Sequence, residues 1–166
     1  SGLVKRSRWD SRVGLDGLEL GKVSRASADQ RAGRAGRIAP GYALRLWTKA
    51  EHAALKAFDE PEIRRVDPAP LLLAVLAFHP GDPREFDFFE KPRDAAFAAG
   101  LALLERLGAI APCGRSLTAL GRAIADLPLH PRLGVILLEA EKRGELHHAA
   151  RFASLLGDRD VIENAE

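Results

Sequence analysis

Three arginines recur at intervals of three residues near the start of the chain, in the string QRAGRAGR at residues 30–37. Residues three apart lie on one side of a helix, so Arg34 and Arg37 can converge on one ligand. A guanidinium group stays charged and can bind phosphate oxygens through two parallel hydrogen bonds. The neutral side chain of Gln30 can orient a water molecule or bind a phosphate oxygen. These residue types and their spacing predict a phosphate-binding site.

Two glycines interrupt the same string. A glycine inside a helix costs about 1 kcal/mol relative to alanine. Gly33 and Gly36 therefore indicate either a close approach of the backbone to another surface or a helix that ends early. The alternative to a phosphate site is a positively charged helix face, on which the arginines pair with nearby acidic residues.

The charge of the chain is unevenly distributed. Residues 1–37 contain nine lysines and arginines and four aspartates and glutamates, whereas residues 38–166 contain sixteen and nineteen. The positive excess of the first segment favours an anionic partner such as phosphate, nucleotide or nucleic acid, and the alternative is a solvated basic face. The overall composition, 46% hydrophobic and 29% charged, is typical of a soluble globular protein.

Several classes of protein are excluded by simple counts. The longest apolar run, residues 71–78, is far shorter than the roughly 20 residues of a membrane span. The single cysteine, Cys113, cannot form an internal disulfide and fits a reducing compartment, so we expect a cytoplasmic protein. The absence of methionine predicts that the chain is an internal segment of a longer protein.

The elements that must position the arginines lie in the first 60 residues. Residues 1–24 predict strand, turn and strand, with breaks at residues 10–12 and at Asp16-Gly17. Ser27 or Asp29 is expected to cap a short helix that reaches about Gly36.

The next two elements are predicted from alternation and from a capping pattern. Residues 42–47 alternate in polarity and predict a further strand. Thr48 and Glu51 have the spacing of a capping box for a helix over residues 49–57.

The remainder of the chain is predicted to be mainly helical. Residues 59–70 are rich in charge and proline, which indicates a linker or a domain edge. Helices are predicted over residues 68–78, 93–107, 118–126, 131–143 and 145–156. Residues 109–117 predict a small hairpin, and the order helix, helix, hairpin, helix over residues 68–127 is compatible with a winged-helix unit.

The full string at residues 24–37, SRASADQRAGRAGR, closely resembles motif VI of the DEAH-box helicases of superfamily 2, and in particular of bacterial HrpB-type helicases. Further matches follow in the same order over nearly the whole chain. They are Pro40-Gly41-Tyr42, Arg45-Leu46-Trp47, PLLL at residues 70–73, LLERLGA at residues 103–109, TALGR at residues 118–122 and LPLHPRL at residues 127–133.

This resemblance implies a mainly α fold with short β elements. Residues 1–60 would be the C-terminal part of a second RecA-like α/β domain. Residues 61–127 would be a winged-helix domain, and residues 128–166 would begin a ratchet or helical-bundle domain.

The resemblance also implies roles for individual residues. Gln30 would contact the γ-phosphate of ATP or its attacking water. Arg34 and Arg37 would be arginine fingers, which are worth about 10³–10⁵ in rate in enzymes of this kind. These three residues would thus be both catalytic and nucleotide-binding, and Arg31 would have a structural or interdomain role.

The activity implied is that of the C-terminal portion of an ATP-dependent RNA helicase. The parent protein would use ATP with Mg²⁺ and bind RNA, or DNA, and its upstream RecA-like domains would act in cis. The chain has neither a G-x-x-x-x-G-K-[ST] string nor an Asp-Glu-Ala-His string, so by itself it is expected to hold no nucleotide and to be inactive. The alternative is a non-catalytic winged-helix module that binds nucleic acid or a protein.

Other residues are weaker candidates. Four arginines could contribute contacts to nucleic-acid phosphates: Arg6, Arg8, Arg122 and Arg132. Trp9 and Trp47 could stack on bases, although tryptophans beside strands are more often part of a core.

No metal site is expected. The adjacent His147 and His148 would point about 100° apart on a helix. His52 and His79 have no ligand partners at a useful spacing, and His130 is expected to support the domain junction.

Overall fold

A computed structural model describes residues 1–10, 15–79, 81–112, 114 and 116–157. The chain divides into two compact units, Ser1–Val66 and Asp67–Glu166. The described residues are mainly helical, with one two-stranded sheet in the first unit. Cys113 and residues 11–14 lie outside the described residues. No described helix has the length and apolar character needed to cross a membrane.

The first unit begins with an antiparallel pair of strands, β1 (Leu3–Asp10) and β2 (Leu15–Lys22). Arg6 lies opposite Glu19 in this pair. The two predicted strands are confirmed, and the turn predicted between them falls on residues outside the described part of the chain. The predicted break at Asp16-Gly17 is wrong, because both residues lie within β2 and pair across to β1.

Two short helices follow, α1 (Arg25–Ala32) and α2 (Lys49–Ala54). The predicted capping box of α2 is confirmed. The Glu51 amide donates to the Thr48 hydroxyl at 3.1 Å, and the Thr48 amide donates to the Glu51 carboxylate at 2.8 Å. The helix ends at Ala54 rather than at residue 57, because Leu55 is already extended and turns inward to be buried.

A small apolar cluster fixes these elements to one another. Val23, Ala28 and Leu55 are buried together, with Val4 and Trp47 packed against them. The cluster joins the end of β2, the middle of α1 and the end of α2. The expectation that Trp47 belongs to a partial core is confirmed.

The predicted strand over residues 42–47 is wrong, since these residues form no strand. Within the described residues, the only sheet pairs β1 with β2, so the alternating segment has no neighbouring strand whose backbone it could bond. Tyr42 and Leu44 are consequently exposed. Side-chain contacts at Arg45 and Trp47 hold the segment instead.

The described residues of the second unit contain five α-helices: α3 (Ala69–Phe78), α4 (Asp94–Arg106), α5 (Ala119–Ala125), α6 (Pro131–Lys142) and α7 (Leu146–Gly157). Each predicted helix is confirmed to within one or two residues. Helix α3 packs against α4, α5 and α6 and is the centre of this unit. Its continuous apolar sequence is explained by this position, because it is covered on several sides.

The core of the second unit lies where these helices meet. Leu72, Leu104 and Ile124 are almost completely buried there. Where a hairpin is predicted over residues 109–117, the described residues form an antiparallel bridge between Ile110 and Leu117, and the Ala111 amide donates to the Ser116 carbonyl at 3.0 Å. Helix α5 begins beside this bridge, and Thr118 is its N-cap.

Candidate nucleotide-binding site

Helix α1 carries the first half of the arginine-rich string, and its N-cap is Ser24. The Ser24 hydroxyl accepts a hydrogen bond from the Ser27 amide at 3.1 Å. The prediction that Ser27 or Asp29 caps the helix is therefore wrong. The helix starts earlier because carbonyl groups far along the chain, at Lys56 and Ala57, accept from the amides of Arg25 and Ala26.

Helix α1 ends at Ala32, not near Gly36. Residues 33–36 form a turn, in which the amides of Arg34 and Ala35 donate to the carbonyls of Arg31 and Ala32 at 3.3 and 3.0 Å. Arg34 and Arg37 therefore do not share a helix face, and the prediction that helical spacing brings them together is wrong. Of the two explanations for the glycines, a helix that ends early applies to Gly33.

The segment after the helix, residues 33–41, is called the arginine loop here. One contact within the loop and one contact beyond it hold the loop in place. A Cβ atom on Gly41 would lie 1.8 Å from the Ala35 carbonyl oxygen, so only glycine permits this approach of the two backbones. Beyond the loop, the Arg45 guanidinium donates to the Asp29 carboxylate at 2.5 Å, which ties the returning chain to α1.

The side chains on this scaffold differ in their contacts. Gln30, Arg34 and Arg37 are exposed. Within the described part of the chain, neither the Arg34 nor the Arg37 guanidinium has a hydrogen-bond or ion-pair partner. Arg31, by contrast, donates to the Leu3 carbonyl at 3.4 Å, in keeping with a structural role. The alternative of a helix face with paired arginines thus does not describe Arg34 and Arg37.

Two unpaired guanidinium groups on a fastened loop can bind an anion. Each presents a planar set of N–H donors that matches phosphate oxygens. Because no carboxylate of the described chain competes for them, binding would replace water rather than break an existing ion pair. The chain itself provides no lysine of a phosphate loop and no DEAH carboxylates to hold Mg²⁺, so a complete nucleotide site needs further residues.

The contacts that fasten this region were not predicted. The pair of Arg45 and Asp29 spans sixteen residues, and the bond between Ser24 and Asp59 spans thirty-five. Neither spacing corresponds to a local motif. The pair Pro40-Gly41 is typical of a turn, although the close contact of Gly41 with Ala35 cannot be read from the sequence.

Two of the four arginines that could contact nucleic-acid phosphates form ion pairs within the chain. Arg6 pairs with Asp59, and Arg8 pairs with Glu19 at 2.9 Å. Arg132 is half-buried, whereas Arg122 is exposed on α5. Their contribution to phosphate binding stays a prediction.

Trp47, His52 and His148, which were considered for base stacking or metal binding, contact residues nearby in the sequence. The ring of Trp47 stacks on His52, and its indole N–H donates to the His52 Nδ1 at 3.4 Å. His148 lies 3.3 Å from Glu145. Among the residues that the structure describes, no group of three or more potential ligands is close enough to hold a metal ion.

Comparison with known proteins finds relatives among the ATP-dependent RNA helicases. The chain is 36% identical over 166 residues to the ATP-dependent RNA helicase HrpA of Escherichia coli, covering 98% of this chain and 13% of that protein. It is 36% identical over 160 residues to the ATP-dependent RNA helicase HrpB of the same organism, covering 96% of this chain and 20% of that protein. No family model matches the chain.

A solved structure agrees with these relatives. The crystal structure of the Escherichia coli DEAH/RHA helicase HrpB matches 98% of this chain with a TM-score of 0.84 and 35% identity, and the match covers 21% of that protein. The chain is therefore homologous to a segment of HrpA- and HrpB-type DEAH-box RNA helicases, and the resemblance found in the sequence is confirmed. It spans about a fifth of the length of HrpB.

Proposed function

We propose that this chain is the motif VI segment of an ATP-dependent RNA helicase. The observation that carries the proposal is the contrast between Arg31, which bonds to β1, and Arg34 and Arg37, which have no partner within the described residues. An arginine whose charge is not used inside its own domain is available to a ligand. Its place in a motif VI string, in a chain homologous to helicases, makes the phosphates of ATP the ligand.

In this proposal Arg34 and Arg37 are arginine fingers, and Gln30 positions the γ-phosphate or the attacking water. ATP with Mg²⁺ would be held chiefly by upstream RecA-like domains of the same polypeptide. The fingers would neutralise charge that develops on the phosphoryl oxygens, and stabilisation of this charge usually contributes most to catalysis of phosphoryl transfer. The isolated chain is then expected to hydrolyse no ATP.

The proposal also gives the chain the three domain roles that the resemblance implies. Residues 1–60 would be the end of the second RecA-like domain, residues 61–127 a winged-helix domain and residues 128–166 the start of the ratchet domain. The order α3, α4, bridge, α5 supports the winged-helix assignment. RNA, or DNA, would be bound through the parent protein, and the location would be cytoplasmic.

The test uses the full-length polypeptide that carries this chain. Its ATPase rate with and without RNA is compared for the wild type and for Arg34→Ala and Arg37→Ala. A loss of roughly two orders of magnitude or more, with the protein still folded, is expected for a finger. Arg106→Ala is the matched control, because Arg106 is an exposed arginine at the end of α4 and should leave the rate unchanged. An unchanged rate in Arg34→Ala and Arg37→Ala would contradict the proposal.

A measurement of RNA binding distinguishes the helicase segment from the alternative, a non-catalytic winged-helix module. Fluorescent RNA is titrated with the chain alone at low and moderate salt, because contacts to phosphates weaken as salt rises. Weak RNA binding by the chain alone, with tight binding by the full-length protein, supports the helicase segment. Tight binding by the chain alone would favour the module.

A further inference from the structure

The segment between α2 and the second unit, residues 56–65, is called the connecting segment here. It touches α1 at its first end. The carbonyls of Lys56 and Ala57 accept from the amides of Arg25 and Ala26 at 2.8 and 3.1 Å. These amides belong to the first turn of α1 and have no acceptor within the helix. The connecting segment therefore completes the N-terminus of the helix that leads into the arginine loop.

The second end of the connecting segment is bonded to β1. The Arg65 guanidinium donates to the Ser7 carbonyl at 2.8 Å. The Trp9 amide donates to the Arg65 carbonyl at 2.7 Å. Two bonds in opposite directions thus fix Arg65 along the strand. A shift of the hairpin formed by β1 and β2 must move the connecting segment as well.

Asp59 joins the two ends through a single carboxylate. One oxygen accepts from the Ser24 hydroxyl at 3.0 Å, and the other pairs with Arg6 of β1. The Arg6 guanidinium also donates to the Lys22 carbonyl at 3.1 Å, so it bridges both strands. Ser24 is only 2% exposed, and its hydroxyl at the same time accepts from the Ser27 amide.

We propose that Asp59 is a positioning residue that couples the position of the β1–β2 hairpin to that of the arginine loop. This inference rests on the proposed helicase function. A serine hydroxyl has one proton, and donation to Asp59 directs a lone pair of the oxygen toward the helix. Arg6 fixes the same carboxylate to the hairpin. Displacement of the hairpin is therefore passed through Asp59 and Ser24 to the start of α1, whose other end leads into the loop that carries Arg34 and Arg37.

The test measures ATPase activity of the full-length polypeptide with the Asp59→Asn variant. An amide has one acceptor oxygen and no charge, so in Asp59→Asn the bond to Ser24 is reversed or the bond to Arg6 is lost, and the ion pair is lost in either case. We expect the RNA-stimulated kcat to fall at least roughly fivefold, the lower range of energetic coupling between sites. The KM for ATP and the RNA concentration for half-stimulation should stay the same. Arg6→Gln breaks the pair from the other side and should lower the RNA-stimulated kcat to the same extent.

Glu62→Gln is the matched control, because Glu62 is exposed on the same segment and the substitution removes the same charge. Hydrogen exchange provides a second readout on the 166-residue chain. The Ser27 amide hydrogen should exchange faster in Asp59→Asn than in the wild type, because this substitution loosens Ser24. In Glu62→Gln its exchange rate should be unchanged.

Three results would overturn the coupling. One is an RNA-stimulated kcat that is unchanged in both Asp59→Asn and Arg6→Gln. Another is a kcat that falls only together with a raised KM and a lower melting temperature, which indicates general destabilisation. The third is a wild-type protein without RNA-stimulated ATPase, which would overturn the proposed function too. The first two results leave the proposed function intact, so the two failures can be told apart.

Discussion

The backbone of Gly41 lies directly against the carbonyl group of Ala35, so close that a Cβ atom on Gly41 would stand 1.8 Å from that oxygen. This contact closes the arginine loop without any side chain. It explains why glycine occupies position 41, where a larger residue would force the loop open.

Gly41→Ala is therefore expected to destabilise the first unit by about 1–3 kcal/mol, the usual range for overpacking. Both tryptophans of the chain, Trp9 and Trp47, belong to this unit. Urea unfolding followed by tryptophan fluorescence consequently measures it separately from the second unit.

Gly36→Ala is the control for this substitution. Gly36 lies in the same loop, and a Cβ atom there would meet nothing within 4 Å. The variant should match the wild type or gain about 0.4–1 kcal/mol through a less flexible unfolded chain. Equal stability of the two alanine variants would show that the loop does not close through Gly41.

In the second unit, His130 joins the starts of two helices. Its Nδ1 accepts from the Arg132 amide at 3.2 Å and caps α6. The proton is therefore on Nε2, which donates to the buried Asp67 carboxylate at 2.9 Å. The other oxygen of Asp67 accepts from the Ala69 amide in the first turn of α3 at 2.9 Å.

Two variants separate the two bonds of His130. His130→Asn keeps an acceptor for the cap but is too short to reach Asp67, whereas His130→Gln can reach Asp67 but loses the cap. Each should cost about 1 kcal/mol of unfolding free energy, and His130→Ala should cost more than either. Circular dichroism of the helices during urea unfolding measures this. His130→Ala with wild-type stability would contradict the assigned bonds.

Local patterns predicted most of the helices correctly. The caps at Thr48 and Thr118 each bond to a residue three positions along the chain, and a proline occupies the first position of α6. Such contacts follow from spacing alone, which explains why five helices of the second unit agree with their predicted ranges.

The secondary-structure predictions are wrong where contacts with residues distant in the sequence determine the structure. Helix α1 begins at Arg25 because carbonyls at Lys56 and Ala57 accept its first amides, a contact that no local pattern indicates. Residues 42–47 have the alternation of a strand but no strand beside them within the described residues. The site follows the same rule: its arginines were evident from composition and resemblance, whereas the contacts that hold their loop were not.

Glu51 gives the chain an acid-sensitive contact. The Thr48 backbone amide, the Thr48 hydroxyl and the charge of Lys22 lower the pKa of the Glu51 carboxyl below its usual value of 4.5. A carboxyl whose pKa is lowered by folding stabilises the folded state above its unfolded pKa. That stabilisation is lost as the pH falls through the lower, folded pKa.

Glu51→Gln should therefore reduce acid sensitivity. The amide can still accept the Thr48 amide bond but has no charge to lose. The wild type should be more stable than the variant near neutral pH, and the difference should shrink as the pH falls below 4.5. Urea midpoints from tryptophan fluorescence between neutral and acidic pH measure it. A difference that stays constant over this range would show that ionisation of Glu51 does not stabilise α2, and that the bond geometry alone does.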